Sequence, residues 1–350
     1  MTKSPKRILV DIGHPAHVHL FRNAIKIWQS RGHSVAITSR EKDITGTLLS
    51  AYGFTYEIAS EARKGTLGLA YEMLEHDYGV LKAALRHKSQ ILIGTSVAVA
   101  HVAPLVGAKS VVFNEDDASV AKSFVRLAYP MAHKIVTPAV LNEDHGKKHI
   151  TYNGYQKLAY LHPNVFSPDP AVKDKLGVSQ HEDYFLLRFV THHAAHDVGE
   201  FGMGRDLQFK LVDLLSQYGK VFITSEGELQ SELMPYKIKI DPVDIHHALA
   251  FAKIFIGDSQ SMNVEAAILG VPSLRINSFA DRCSVLQELQ NKYELSHAFF
   301  PIQVEEIIST LNTWLRDENL NLRWKEKQQS MLRDKIDVTP WMVDFIEKME

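Results

Sequence analysis

The chain has 350 residues, 45% of them apolar and 23% charged, a globular composition that excludes disordered, collagen-like and disulfide-scaffold classes. Its 39 Lys and Arg against 41 Asp and Glu leave a net charge of −2, which argues against nucleic acid or an anionic membrane surface as the main partner. The single cysteine, Cys283, excludes an intramolecular disulfide and a thiolate zinc cluster.

That cysteine usage fits a reducing cytoplasm. At about 100–200 residues per domain the length predicts about two domains. The apolar run near the start covers only residues 8–10, too little for a signal peptide. No stretch approaches the roughly 18–20 apolar residues of a membrane-spanning helix. A soluble protein is expected. Peripheral membrane contact stays open, because Lys82, Arg86, His87 and Lys88 cluster near a helix end, which reads equally as a solvated terminus favoured by the helix dipole.

Residues 7–11 (RILVD) form a short apolar run before the polar turn Ile12-Gly13-His14-Pro15. A helix is predicted over 17–31, with Val18, Phe21, Ile25 and Trp28 at helical spacing. Gly32 stops it, and 33–38 reads as a strand. Helical patterns at 45–52 and 67–87 separate apolar runs at 55–58 and 91–94. Further runs at 110–114 and 134–137 bracket helices near 97–106 and 118–129. Short strands alternating with helices mean βαβ units and a parallel sheet covered on both faces.

The pattern breaks over 138–170, where Asn153-Gly154, His162-Pro163-Asn164 and Ser167-Pro168-Asp169-Pro170 supply turn chemistry. This is the predicted linker. Alternation restarts with strands at 184–189, 220–224, 254–257 and 272–276, and helices at 207–218, 244–252 and 261–269. From 304 the tail is mostly helical. The implied division is 1–160, 161–335, and a closing helix 336–350 that packs back on the first half. Two doubly wound α/β halves place a ligand crevice between them, with chemistry on the loops beyond the carboxyl ends of the strands.

The strongest segment is 256–276, IGDSQSMNVEAAILGVPSLRI. A buried strand ends at Gly257, and Asp258-Ser259-Gln260-Ser261 opens a helix for which Ser259 or Ser261 is a natural N-cap. Free amides and the helix dipole favour an anion there, typically a phosphate. Glu265 lies four residues beyond Ser261, on the same helix face, where a carboxylate can accept from both hydroxyls of a ribose. An ordinary capped βαβ unit with a solvated glutamate would read the same way.

The string Ser-Gln-Ser-Met-Asn-Val-Glu-Ala-Ala-Ile-Leu-Gly-Val-Pro resembles the nucleotide-sugar signature of GT-B glycosyltransferases and non-hydrolysing UDP-sugar 2-epimerases. The stretch from Gly13-His14-Pro15 to Val18 resembles the Gly-His loop after their first strand. The whole layout is similar to a family of predicted bacterial and archaeal GT-B glycosyltransferases. The resemblance implies a GT-B fold of two Rossmann-like domains with an interdomain cleft and C-terminal helices. It also implies diphosphate at Ser259, Gln260 and Ser261, and ribose at Glu265.

His14 sits beside Gly13 on the first βα loop, and a histidine there suits proton removal from an acceptor hydroxyl; a helix-entry histidine bonded to backbone is the plain alternative. His17 and His19 read as capping or surface positions. Asn114-Glu115-Asp116-Asp117 follows a strand, so Glu115, or Asp116 beside it, can supply a base, or simply cap the next helix. Related enzymes carry a glutamate in this region, which favours Glu115.

Arg188 can neutralise diphosphate without a metal. His192 and His193 follow the same strand and are assigned to donor contact; the i, i+4 pair His192/His196 is a weak metal pattern without the metalloprotease glutamate. Ser225 and Asp241 are placed at the donor pocket, with a plain turn and a helix cap as their alternatives. No metal and no resident cofactor are expected.

The expected activity is metal-independent transfer of a sugar, UDP-linked by analogy, to a hydroxyl acceptor in cell-surface glycan or glycolipid synthesis. The partners expected are the nucleotide-sugar donor and a glycan or lipid-linked acceptor. The first rival is a non-hydrolysing UDP-N-acetylhexosamine 2-epimerase, whose aspartate-bearing loop is replaced here by Gly94-Thr95-Ser96. The second is a non-catalytic nucleotide-sugar-binding protein on the same fold.

Overall fold

The computed structural model describes residues 4–41, 44–63, 65–190, 202–278 and 282–349. Two compact units result: Met1–Val165 with Lys335–Glu350, and Phe166–Asp334. The chain thus leaves the first unit after Val165 and returns to it at Lys335.

The first unit contains β1 (Arg7–Ile12), α1 (Pro15–Ser30), β2 (Ser34–Glu41), α2 (Thr45–Ala51), β3 (Glu57–Glu61) and α3 (Thr66–His87). It continues with β4 (Ile91–Gly94), α4 (Val97–Val102), β5 (Lys109–Phe113), α5 (Lys122–Ala128), β6 (Lys134–Pro138), β7 (His149–Tyr152) and α6 (Leu158–Leu161). Seven strands form one sheet in the order β3-β2-β1-β4-β5-β6-β7, and every pairing is parallel. Ile8, Leu9, Val10 and Ile12 of β1 are buried without alternation, as expected of a strand covered on both faces. Proline at the first position of α1 needs no amide bond there, and Val18, Phe21, Ala24, Ile25 and Trp28 turn inward at helical spacing.

The second unit holds α7 (Val172–Lys175), β8 (Tyr184–Phe189), α8 (Arg205–Ser216), β9 (Lys220–Ser225), α9 (Ile245–Ala250), β10 (Ile254–Gly257) and α10 (Gln260–Ile268). β11 (Ser273–Ile276), α11 (Ser284–Asn291), β12 (Ser296–Phe299), α12 (Val304–Leu315) and α13 (Leu320–Asp334) complete it. Its five strands are also parallel, ordered β12-β11-β10-β8-β9. The last helix, α14 (Val338–Lys348), belongs to the first unit, where it packs on α1 and α6.

Three expectations need correction. The supposed linker 138–170 is largely part of the first unit: β7 extends the sheet beside β6, and Leu158, Ala159, Tyr160 and Leu161 are buried. A four-residue strand between turn-rich flanks leaves too short a pattern to read. The helix expected from 118 begins only at Lys122. Both α11 and β12 went unanticipated, because β12 (SHAF) alternates too weakly to signal a strand.

Helix α3 lies against β3 through a glycine. An ideal Cβ on Gly79 would stand 2.4 Å from the Ala59 carbonyl oxygen and 2.6 Å from its Cα. Both are backbone atoms, so no rotamer change can relieve the clash. Gly79→Ala is therefore expected to destabilise the protein by about 1–3 kcal/mol, measured as a lower urea midpoint at unchanged slope.

Candidate functional site

In each sheet the strand order reverses at one point, and ligands of open α/β sheets sit beyond the carboxyl ends of the strands there. The reversal falls between β1 and β4 in the first unit, and between β8 and β10 in the second.

Asp11, near the end of β1, is fully buried. Thr38 Oγ1 donates to its Oδ1 at 2.7 Å, Ser96 Oγ donates to its Oδ2, and His76 Nε2 lies 2.9 Å from Oδ2 and 3.1 Å from Oδ1. His76 in turn meets Ser60 Oγ through Nδ1 at 2.8 Å. Burial alone would raise the Asp11 pKa, but the His76 charge and these hydrogen bonds outweigh it and hold the carboxyl below its usual value. Burial likewise opposes protonation of His76, yet the Asp11 carboxylate raises its pKa above the ordinary 6.5. The result is a buried ion pair beneath the first βα loop. Its partner strand β4 must present a glycine opposite Asp11, since a Cβ on Gly94 would meet Val99 at 2.8 Å and the Asp11 carbonyl at 2.9 Å.

Above this pair, His14 caps α1. Its Nδ1 accepts from the Ala16 amide at 3.2 Å, which places the proton of the neutral ring on Nε2. His17, 5.8 Å from His14 between ring centroids, has Thr95 Oγ1 2.7 Å from its ring nitrogens. Burial and the neighbouring His14 lower the His17 pKa to about 3, so it is neutral at pH 7. The Lys157 charge acts on His17 in the same direction.

Lys157 itself pairs with Glu115 Oε2, while the Gln156 amide donates to Oε1 at 2.5 Å. Glu115 is thus an anchored carboxylate rather than a loose one. Asp116 is exposed, and its backbone is tied to Asn114 on both sides.

In the second unit, β10 ends at Gly257 opposite Arg188 of β8. A Cβ on Gly257 would lie 3.0 Å from Arg188 Cβ, so the glycine makes room for the arginine. Buried Asp258 accepts from the Val190 amide at 2.8 Å. Ser259 caps α10, accepting from the Met262 amide at 3.4 Å. Buried Asn263 bridges the turn from below, donating to the Ser259 carbonyl at 2.8 Å and the Gly257 carbonyl at 3.2 Å. Ser259, Gln260 and Ser261 remain half-exposed at the helix start.

Glu265 is buried rather than solvated, with His246 Nε2 3.2 Å from its Oε1. Arg188 contacts Glu226 Oε1 at 2.5 Å and Thr224 Oγ1 at 3.4 Å. Ser225 ends β9, and exposed Asp241 accepts from the Val243 amide as a cap. His192 and His193, like His196, lie outside the described residues. Among the described residues, no group of three or more His, Cys, Asp or Glu stands where it could hold a metal.

Asp11 and His76 escaped sequence reasoning. An acidic residue closing an apolar strand was the available signal for Asp11, but nothing local marks a mid-helix histidine 65 residues away as its partner.

The pair's linkage has a definite sign. Asp11 contributes stability above pH 3.8, lost as pH falls through its lowered value; His76 contributes below pH 6.5, lost as pH rises through its raised value. His76→Ala leaves a buried charge uncompensated and should cost about 3 kcal/mol at neutral pH by chemical denaturation. His17 acts separately: below pH 6.5 the unfolded chain binds a proton that the folded one refuses, so stability falls towards pH 3. His17→Asn should flatten that acid-side decline in melting temperature.

An uncharacterized protein of Methanocaldococcus jannaschii is 22% identical over 281 residues, covering 76% of this chain and 80% of the relative. The chain is similar to the crystal structure of the M. jannaschii UDP-GlcNAc 2-epimerase in complex with UDP-GlcNAc and UDP, with TM-score 0.65, 12% identity, and 89% and 93% of the two chains covered. It is also similar to the spinosyn forosaminyltransferase SpnP, with TM-score 0.63, 13% identity, and 99% and 100% covered. Two parallel-sheet α/β domains and a helical C-terminus give the chain a GT-B fold. Its residues 6–349 match the family described as "Protein of unknown function (DUF354)", and the chain belongs to that family.

Proposed function

We propose that the protein is a nucleotide-sugar enzyme that transfers a sugar from a nucleoside diphosphate to a hydroxyl acceptor. The observation that carries this reading is the start of α10: a serine-capped turn at the strand-order reversal, followed by the buried carboxylate of Glu265. The first amides of a helix have no carbonyl one turn back, so those of Gln260 and Ser261 are available to a diphosphate, and the dipole favours its charge. His246 fixes the Glu265 carboxylate, which then accepts from a ribose. Arg188 is the nearby cation for the leaving diphosphate, and exchanges Glu226 for phosphate oxygen. His192 and His193 complete the donor contacts, with Ser225 and Asp241 at the pocket edge.

The first unit receives the acceptor. Glu115 is the better base, since an ionised carboxylate only accepts and needs no tautomer change. His14, with its proton on Nε2, donates to the acceptor or to a phosphate oxygen instead. A glycan or lipid-linked hydroxyl compound is the acceptor class, and a cytoplasmic location suits the donor.

Epimerisation is the second reading, favoured by the similarity to a UDP-GlcNAc 2-epimerase. Against it, the loop after β4 carries Thr95 and Ser96, and the nearest carboxylate, Asp11, is wholly buried and tied by three side chains.

At a hundredfold excess over Kd, UDP should stabilise the protein by about 2.7 kcal/mol, seen as a higher melting temperature. Glu265→Gln should abolish most of that rise. No response to any nucleoside diphosphate would sink the proposal. In a separate incubation with UDP-GlcNAc alone, a new hexosamine formed without acceptor would select the epimerase reading.

A further inference from the structure

Helix α3 carries a second apolar pattern on the side turned away from its sheet. Val80, Ala83 and Ala84 are buried in the core that it shares with α4 and β5. On the opposite side Leu67, Tyr71, Leu74, Tyr78 and Leu85 follow at i, i+4, i+7, i+11 and i+18, which aligns them in one stripe. Leu67 is 89% exposed, Tyr78 68% and Leu74 65%. A helix of a globular domain normally turns such a stripe to the core and shows water its polar face. Here both faces are apolar.

The patch reaches beyond one helix. His101 of α4 bridges Asp77 of α3 and the Leu127 carbonyl of α5, drawing the three helices together. Leu105, Leu127 and Met131 are exposed on the adjoining elements.

Charge around the patch is one-sided. The acidic residues of α3 are all engaged: Glu72 with Arg40, Glu75 with Arg63, and Asp77 with His101. By contrast Lys82, one turn past Tyr78, and Lys122 and Arg126 on α5 have no ion-pair partner among the described residues. The chain's overall −2 conceals this local excess of positive charge.

We infer that the outer stripe of α3, with the edge of α5, is a docking surface for an anionic lipid bilayer. The leucines enter the interfacial layer, the tyrosine rings sit at headgroup depth with their hydroxyls in water, and Lys82, Lys122 and Arg126 meet anionic headgroups. A second copy of the chain fits less well, because α5 carries no acidic residue and those of α3 are already engaged, leaving the unpaired cations no anion to meet on those two helices. The inference is independent of the nucleotide-sugar reading, since neither Glu265 nor Glu115 takes part.

The test is co-sedimentation of the full chain with phosphatidylglycerol–phosphatidylcholine vesicles and with pure phosphatidylcholine vesicles, at low and high salt. Binding should be about tenfold stronger on anionic vesicles and should weaken with salt. The variant Leu74→Glu/Tyr78→Glu should lose about tenfold on both vesicle types, and Lys82→Glu/Arg126→Glu should lose only the anionic preference. Both pairs are exposed, so unchanged melting temperatures would show that folding is intact. Equal sedimentation with and without vesicles would overturn the inference, as would a stripe variant that binds like the parent chain. A parent chain that is dimeric by sedimentation velocity, becomes monomeric on Leu74→Glu and ignores vesicles would assign the stripe to a second copy instead.

Discussion

A carboxylate with no exposure to water stands near the carboxyl end of β1, an interior strand of a seven-stranded sheet, and much of the first unit is arranged to keep it charged. A bare ionised carboxyl in such a place would cost several kcal/mol. Four side chains from four different segments converge on it or on its partner: Thr38 from β2, His76 from α3, Ser96 from the loop after β4, and Ser60 from β3 behind His76. The ion pair therefore also fixes where α3 crosses the sheet and where the loops carrying His14 and Thr95 begin. A glycine at 94 and another at 79 are corollaries of that closeness, since side chains at either would occupy space already taken by backbone.

The second unit solves the same positioning problem with hydrogen bonds to backbone. Asn263 and Asp258 hold the turn before α10 through backbone carbonyls and an amide, and Asn277 donates to the Asp258 carbonyl at 3.2 Å. The turn's shape is thus set from below, leaving Ser259 to Ser261 half-exposed above. A rigid platform under a half-exposed helix start is what anion recognition by amides requires, because the donors need not reorganise on binding.

The chain has 18 histidines, and the fold ties several of them to carboxylates. His33 meets Glu347, His76 Asp11, His101 Asp77, His145 Glu143 and His246 Glu265. Histidine joins burial to a directional polar bond with a nearby carboxylate, and this chain uses it repeatedly to tie helices to strands and loops. The histidines at the first βα loop, by contrast, stand where a ligand of an open α/β sheet would be expected.

Sequence alone determined the alternation of strand and helix, and with it two parallel sheets, because buried βαβ strands leave continuous apolar runs whose period differs from that of the helices between them. It also located the cap of α10 at Ser259 and the helix entry at His14, since caps are local and readable at a spacing of a few residues. Local pattern failed for β7 and β12, each too short to leave a period, and for segment 138–170, whose turn residues concealed Lys157. What only tertiary structure decided is partnership: Asp11 with His76, Glu115 with Lys157, Glu265 with His246. Those contacts join residues 19 to 65 positions apart, and polar pairing at that separation is fixed by how helices dock on sheets, for which no short stretch of sequence carries a signal.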